Sequence, residues 1–409
     1  MAIPSRQIGW GTKANLLWQI SKQLERLICV AACECPTTTT TTTTVATAFR
    51  LSFVDISFAN GLVGDATDVN DWNTYLDLPT NGTPFDSVVV TGNEVALYGG
   101  ANITIKDNAF EAIDGKPPVP YLTSVIDEDG RIIEIGNASF INQTTLTVFT
   151  APNITTIGIS AFDSCGIISV NFPLLVNIGN QAFAGCSNLT TVTFNSITAL
   201  SDNCFYTCTS LTAINCPLLE TIGDGCFFGC SSITAIDFPL VTYLGSGAFA
   251  GCSLLQSIKF DSLIVLNGLG TFSSTAIQTL ISTNFPVLTT IGQTDFGSCY
   301  SLTSVNLPSV TSVGYYGFGD CTALIDVQLP NVTYTEQYSF TLCSALTNLY
   351  MPSLINLGAS VGNNLVFLNT IGATLTFTIP AALMTCNAGN PDGDIQYLQA
   401  NNAVTIVTV

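Results

Sequence analysis

The chain is predicted to be a mainly β (α-β type) solenoid, a stack of short parallel strands wound at a near-constant pitch. Three observations predict this. A phenylalanine-led phrase returns every 21 to 24 residues from Phe140 to Phe340, and a fixed period of that length signals stacked coils. Within each unit, apolar residues fall two apart, the strand period, before a proline or glycine interrupts them. Charged residues make up only 9% of the 409 residues, against roughly 25% in typical globular chains. Mean hydropathy is nonetheless positive, so Thr, Ser and Asn must clothe the surface.

The repeated phrase reads FINQ at Phe140, FDSC at Phe162, FAGC at Phe183, FYTC at Phe205 and FFGC at Phe227. It continues as FAGC at Phe249, FSST at Phe272, FGSC at Phe296, FGDC at Phe318 and FTLC at Phe340. One clean unit is CYSLTSVNLPSVTSVGYYGFGDC, Cys299 to Cys321. In it Leu302, Val305 and Leu307 form a short inward strand, and Pro308 ends that strand because it cannot donate to a ladder. Val310 and Val313 continue inward, Gly314 permits a turn, and Phe318 and Cys321 close the coil.

This pattern resembles the BspA-type leucine-rich repeat, whose units read roughly L-T-S-I-x-L-P-x-x-V-T-x-I-G-x-x-A-F-x-G-C-S-x. The resemblance covers about residues 136–360 through ten phenylalanine-marked turns. It implies a leucine-rich-repeat stack. Two departures stand out: the first turn lacks its cysteine, and the coil after Phe272 carries Thr275 in its place with two extra residues. That coil is expected to bulge or bend the stack.

Cys165, Cys186, Cys208, Cys230, Cys252, Cys299, Cys321 and Cys343 would form an inward column, as would the pair Cys204 and Cys226. Buried free cysteine behaves as a small apolar residue. Neighbouring coils about 4.8 Å apart lie within the Cα range that disulfides tolerate, so distance alone leaves bridges open. Side chains in a column run parallel rather than facing one another, which favours reduced packing residues. No four-ligand cluster converges for a metal, and no cofactor is expected.

The flanks divide the chain into five parts: a helix over 1–36, a threonine linker over 37–44, a small β-rich capping domain over 45–135, the solenoid over 136–360 and a β cap over 361–409. From Thr12 the helix places Leu17, Leu24 and Ala31 at a, and Ile20 and Leu27 at d, of a coiled-coil seam. Trp18, Leu16 and Ile28 add apolar surface beside it. Leucine at a with isoleucine at d favours more than two strands, so a homotrimer is expected there. Eight consecutive threonines follow and would act as an extended spacer. Cys29, Cys33 and Cys35 cluster beside the spacer and are read as free thiols, with interchain bridges or a metal open. The segment RQIGWGTKANLLWQISKQLERL resembles the N-terminal segment of structural proteins from tailed bacteriophages. That resemblance implies docking of residues 1–36 on capsid or tail proteins, and would account for a repeat protein whose N-terminus does not read as a secretory signal.

In residues 45–135, strand-like alternation is punctuated by expected turns at Asn81-Gly82 and Gly99-Gly100, with a short helix in DATDVNDWNTYLDL. Asp127, Glu128 and Asp129 could ligate Ca²⁺, as could Asn390, Asp392 and Asp394, but solvated turns are the better reading of both. ATLTFTIPAAL and NAVTIVTV are expected as terminal strands.

Charge and motif content narrow the function. Residues 1–36 hold four basic and two acidic residues, while the rest holds five basic and 26 acidic. An acidic body disfavours nucleic acid and anionic membranes as partners. No apolar run reaches the roughly 18 residues needed for a membrane-spanning helix. Histidine is absent, and no Walker loop or converging carboxylate pair is visible, so no enzyme is expected. Parallel strands should instead present an outward array on the concave side: Asn171, Thr193, Asn215, Asp237, Lys259, Asn306, Gln328 and Tyr350, with Thr191, Asp326 and Asn348 beside it. These donors and acceptors suit hydroxyl-rich ligands such as a host surface glycan, against the plainer alternative of a solvated strand face. The main expectation is therefore a virion fibre or decoration protein for host attachment. The alternative is a secreted BspA-type adhesin at the cell surface.

Overall fold

A computed structural model describes residues 49–53, 67, 83–91, 93–110, 122–266, 268–357, 366, 375–384, 395–396, 399 and 404–409. All of these belong to the larger, 47–409, of the two units into which the chain divides. The expected helix over 1–36, with Leu17, Trp18, Ile20, Leu24 and Leu27, lies outside the described residues. So do the threonine linker, the Asn81-Gly82 turn, the helix near Asp68 and the Asn390 to Asp394 loop.

Each coil has three sides, and hydrogen bonds along each side join most coils to the next. The first side is a row of parallel three-residue strands, among them Ser169–Asn171, Thr191–Thr193 and Ala213–Asn215. Their central residue points inward: Val170, Val192, Ile236, Ile258, Leu280, Val305, Val327 and Leu349 are all buried. The second side is a row of parallel two-residue strands, such as Ala199–Leu200, Thr221–Ile222 and Tyr243–Leu244. The third is the phenylalanine turn, where Phe205 N donates to Cys226 O at 2.8 Å and Phe227 N donates to Ala248 O at 2.8 Å. The second ladder was not foreseen, because two residues are too few to show alternation in a sequence.

The phenylalanines stack face to face along the axis. Phe110, Phe140, Phe162, Phe183, Phe205, Phe227, Phe249, Phe272, Phe296, Phe318 and Phe340 follow one another with ring centroids 5.0 to 5.6 Å apart and planes within 15°. Parallel, offset rings at this spacing avoid an unfavourable face-on sandwich while burying both faces. Phe110 is an addition to the sequence reading, which started the column at Phe140. It stands where a coil should place it, because Ile103–Ile105 pairs in parallel with Ile132–Ile135, and that strand pairs with Thr156–Ile157. The ladder therefore passes residue 135 without interruption.

At the N-terminal end, Phe49–Phe53 is paired antiparallel with both Glu94–Ala101 and Leu122–Ile126, and the latter runs parallel to Val148–Thr150. The expected turn at Gly99-Gly100 is corrected here. Both glycines lie inside the strand Glu94–Ala101, whose hairpin with Thr83–Thr91 has its last pair at Thr91 and Glu94, ahead of them. Gly99 has φ of 80° and faces a bulge between Phe85 and Ser87, a use of glycine within a strand that imitates a turn signal. At the other end, Leu375–Ile379 pairs in parallel with Asn348–Tyr350 and with Val404–Thr408.

The strand row is interrupted in three places. It breaks between Val148–Thr150 and Ser169–Asn171, between Ala213–Asn215 and Ala235–Asp237, and between Ser257–Lys259 and Thr279–Ile281. The last break coincides with the lengthened coil at Phe272, where the sequence led us to expect irregularity.

Candidate functional site

The cysteines do more than fill space. Cys186 Sγ donates to Phe162 O at 3.0 Å, Cys208 Sγ to Phe183 O at 3.0 Å and Cys230 Sγ to Phe205 O at 3.1 Å, and the remaining members of the column repeat the contact. The carbonyls of Phe162, Phe183, Phe205 and Phe227 also accept the backbone N–H of the cysteine in their own coil, as Phe183 O does from Cys186 at 3.3 Å. There the incoming thiol occupies a second lone pair of a buried carbonyl. Where threonine replaces cysteine, Thr275 Oγ1 bonds to Phe272 O at 2.9 Å and meets Cys299 Sγ at 3.4 Å. All eleven described cysteines are free and buried. Burial pushes the thiols of Cys186, Cys252 and Cys343 up to about 12, and that of Cys230 well above its usual value. Protonated thiols that already donate hydrogen bonds do not serve as nucleophiles.

The strand row carries the expected recognition residues. Asn171, Thr193 and Asn215 occupy one register, Asp237 and Lys259 another, and Asn306, Gln328 and Tyr350 a third. Asn171, Asn215, Asp237, Asn306 and Tyr350 are exposed, while Thr193, Lys259 and Gln328 are partly so. Thr191, Asp326 and Asn348 stand at the first position of their strands. Asp326 accepts hydrogen bonds from the Gln328 and Asn348 side chains. Lys259 lies 3.0 Å from Asp261 and 3.8 Å from Asp237, and these carboxylates raise its pKa. The array thus contains locally paired segments rather than a uniform polar strip. It also contains Ile281, 44% exposed and in register with Asn306, which the sequence reading passed over.

A second feature was missed. Leu174, Leu218, Leu240 and Val287, each following a proline, are 43 to 48% exposed at the same point of their coils. The signal was present in the recurrent Pro-Leu and Pro-Val steps, but an alternating apolar pattern reads as core.

The acidic turn at Asp127 is internally engaged. Asp127 is fully buried, its Oδ2 accepts from Ile132 N at 2.7 Å and its Oδ1 faces Arg131 Nη1 at 3.9 Å, while Asp129 pairs with Arg131 at 2.8 Å. Burial raises its pKa against these favourable contacts. Among the described residues no three Cys, Asp or Glu side chains converge as a metal site. Residues 358–362, GASVG, have the spacing of a serine nucleophile elbow, a motif that requires a histidine partner; the chain contains none, and the segment lies outside the described residues.

Three hydrogen-bonded sides, an inward cysteine column and a polar strand row define a leucine-rich-repeat solenoid. The chain belongs to the BspA type leucine-rich repeat family, whose repeat region matches residues 121–218, 176–285 and 268–385. Among solved structures, the chain is similar to a leucine-rich repeat protein from Bacteroides ovatus, at 21% identity over 79% of this chain and 90% of that one, with a TM-score of 0.51. It is also similar to a leucine-rich cell surface protein from Faecalibacterium prausnitzii, at 23% identity over 78% and 89% of the two chains, TM-score 0.46. The first of these supports the fold alone. No curated protein sequence matches.

Proposed function

We propose that this protein is a non-catalytic binding protein that presents its strand row to a host glycan or protein at the cell surface. The observation that carries this reading is the row itself: parallel pairing brings donors and acceptors from coils 22 residues apart into register, from Asn171 to Tyr350. The family match over 121–385 adds to it, because such repeats generally serve binding or structural roles. It supports a surface adhesin better than a virion protein. The virion reading rests on about 25 residues near the N-terminus that the repeat match does not reach.

Residues 1–36 are proposed to act as an oligomerising anchor through Leu17, Ile20, Leu24 and Leu27, with a homotrimer as the expected state. Joint replacement of Asp237, Lys259 and Tyr350 by alanine should weaken binding to host cells or glycans without lowering the melting temperature by more than a few degrees. Undiminished binding by the folded variant would move the binding site off the strand row.

A further inference from the structure

In the first half of the stack the residue immediately after the three-residue strand is mostly a buried phenylalanine, Phe172, Phe194, Phe238 and Phe260, with Phe285 of the next, longer coil stacked on Phe260; the later coils carry Leu307, Leu329 and Met351 there. Cys216 occupies the same place between Phe194 and Phe238. Phe172 and Phe194 stack at 6.0 Å, and Phe238 and Phe260 approach to 6.2 Å, so the cysteine removes one ring from the middle of the series. The consequences are local and visible on the strand row. Ala213–Asn215 and Ala235–Asp237 fall in separate sheets, although the coils stay joined behind them through Thr221 and Tyr243 and through the Phe205, Phe227 and Phe249 column. Ile214 is only partly buried, unlike its counterparts Val192 and Ile236. A cleft of about 290 Å³ opens there, lined by Ile214, Asn215, Cys216, Pro217, Asp237 and Phe238 among others.

The contrast with the first break is informative. Ala151 is also small at this row position, but Phe149 in the preceding strand packs edge-on against Phe172 with centroids 6.0 Å apart. Ile214 offers no such ring. The opening at Cys216 therefore persists where the other is filled.

We propose that this cleft is the primary subsite of the strand row and that it takes a single neutral sugar residue of a glycan. The proposal rests on the binding role proposed above for that row. The floor and walls from Ile214, Pro217 and Phe238 suit the apolar face of a sugar ring. The Asn215 amide and the Asp237 carboxylate stand at the mouth as donor and acceptors for its hydroxyls. Main-chain groups of the two strands, freed from the ladder they form elsewhere in the row, add further partners. A carboxylate at the rim disfavours anionic sugars.

The test is binding of the full chain to an array of neutral and sialylated oligosaccharides, with Cys216→Phe and Cys216→Ala as variants and thermal melting as the fold control. Cys216→Phe restores the missing ring and should reduce binding to neutral oligosaccharides at least tenfold while melting no lower than the parent. Cys216→Ala keeps the cleft open and should bind as the parent does. Parent-like binding by Cys216→Phe overturns the subsite but leaves the strand row standing if the joint Asp237, Lys259 and Tyr350 variant loses binding. Preference for sialylated glycans overturns the assigned ligand class. An array on which the parent binds nothing overturns the proposal as a whole.

Discussion

Cys230 shows how much a single buried atom contributes when every coil repeats its environment. Its thiol donates to Phe205 O at 3.1 Å and is fully enclosed. Cys230→Ala removes the donor and leaves a small cavity, so a loss of about 1–2 kcal/mol is expected in chemical denaturation. The raised thiol values predict that the repeat cysteines resist iodoacetamide at pH 8 in the native protein and react fully once it is denatured, as read by mass. Rapid native labelling of Cys208 or Cys230 would contradict their enclosure. Asp295 is a different case, a lone carboxylate in the core that accepts from Thr271 N at 3.1 Å and Gly292 N at 2.7 Å. Burial lifts its pKa from 3.8 to about 6, against the lowering effect of those hydrogen bonds. The folded state thus favours the protonated acid. Its stabilising contribution is complete below the unfolded value of 3.8 and is lost as pH rises through about 6, a change on the order of 3 kcal/mol at most. Asp295→Asn should flatten the pH dependence of the melting temperature between pH 4 and 7 relative to the parent. Parallel pH curves for the two proteins would show that Asp295 is not the titrating group.

The phenylalanine turn explains a regularity that the sequence displays without giving its cause. The residue before each cysteine is left-handed in successive coils: Ser164, Gly185, Thr207, Gly229, Gly251, Ser298, Asp320 and Leu342 have φ between 54° and 72°. Glycine adopts this conformation freely, whereas β-branched threonine is strained in it. Thr207→Gly should therefore stabilise by about 0.5–1 kcal/mol, and Gly229→Ala should destabilise by about 1 kcal/mol, both measured by denaturant midpoint. A shift of the same sign in both variants would refute the conformational account. The FAGC phrase is thus a backbone specification, with glycine for the turn and cysteine for the carbonyl of the coil before. The three-residue strands were legible from apolar spacing alone, whereas the two-residue strands were not. The Gly99-Gly100 error arose because a bulge and a turn demand the same residue.

At the scale of the whole molecule, stability accumulates from contacts between neighbouring coils, and the ends have to be covered. Strand Leu375–Ile379 covers Asn348–Tyr350, so truncation before Leu375 should leave Leu349 and Met351 at an open edge. That truncated protein is expected to self-associate in sedimentation, and a monodisperse monomer would show that the edge needs no cover. Deleting residues 1–36 is expected to do the opposite, leaving a folded monomer whose repeats melt as before. Continued trimerisation of that deletion would place the oligomer contact elsewhere in the chain.

What the sequence by itself determined about this protein is whatever repeats within one coil: the period, the inward residues such as Leu302, Val305 and Phe318, the outward row from Asn171 to Tyr350, and the family. These are local, because strand alternation assigns each side chain to a face whatever lies above or below it. Only the tertiary structure decided how one coil meets the next. The thiol bonds to phenylalanine carbonyls, the second ladder, the place of Phe110, the pairing of Lys259 with Asp237, and the opening beside Cys216 each involve atoms from different coils or from the approach of one coil to another. Cys216 makes the difference concrete. In the sequence it is one apolar residue among many, and its consequence emerges only when Phe194 and Phe238 stand on either side with no ring between them.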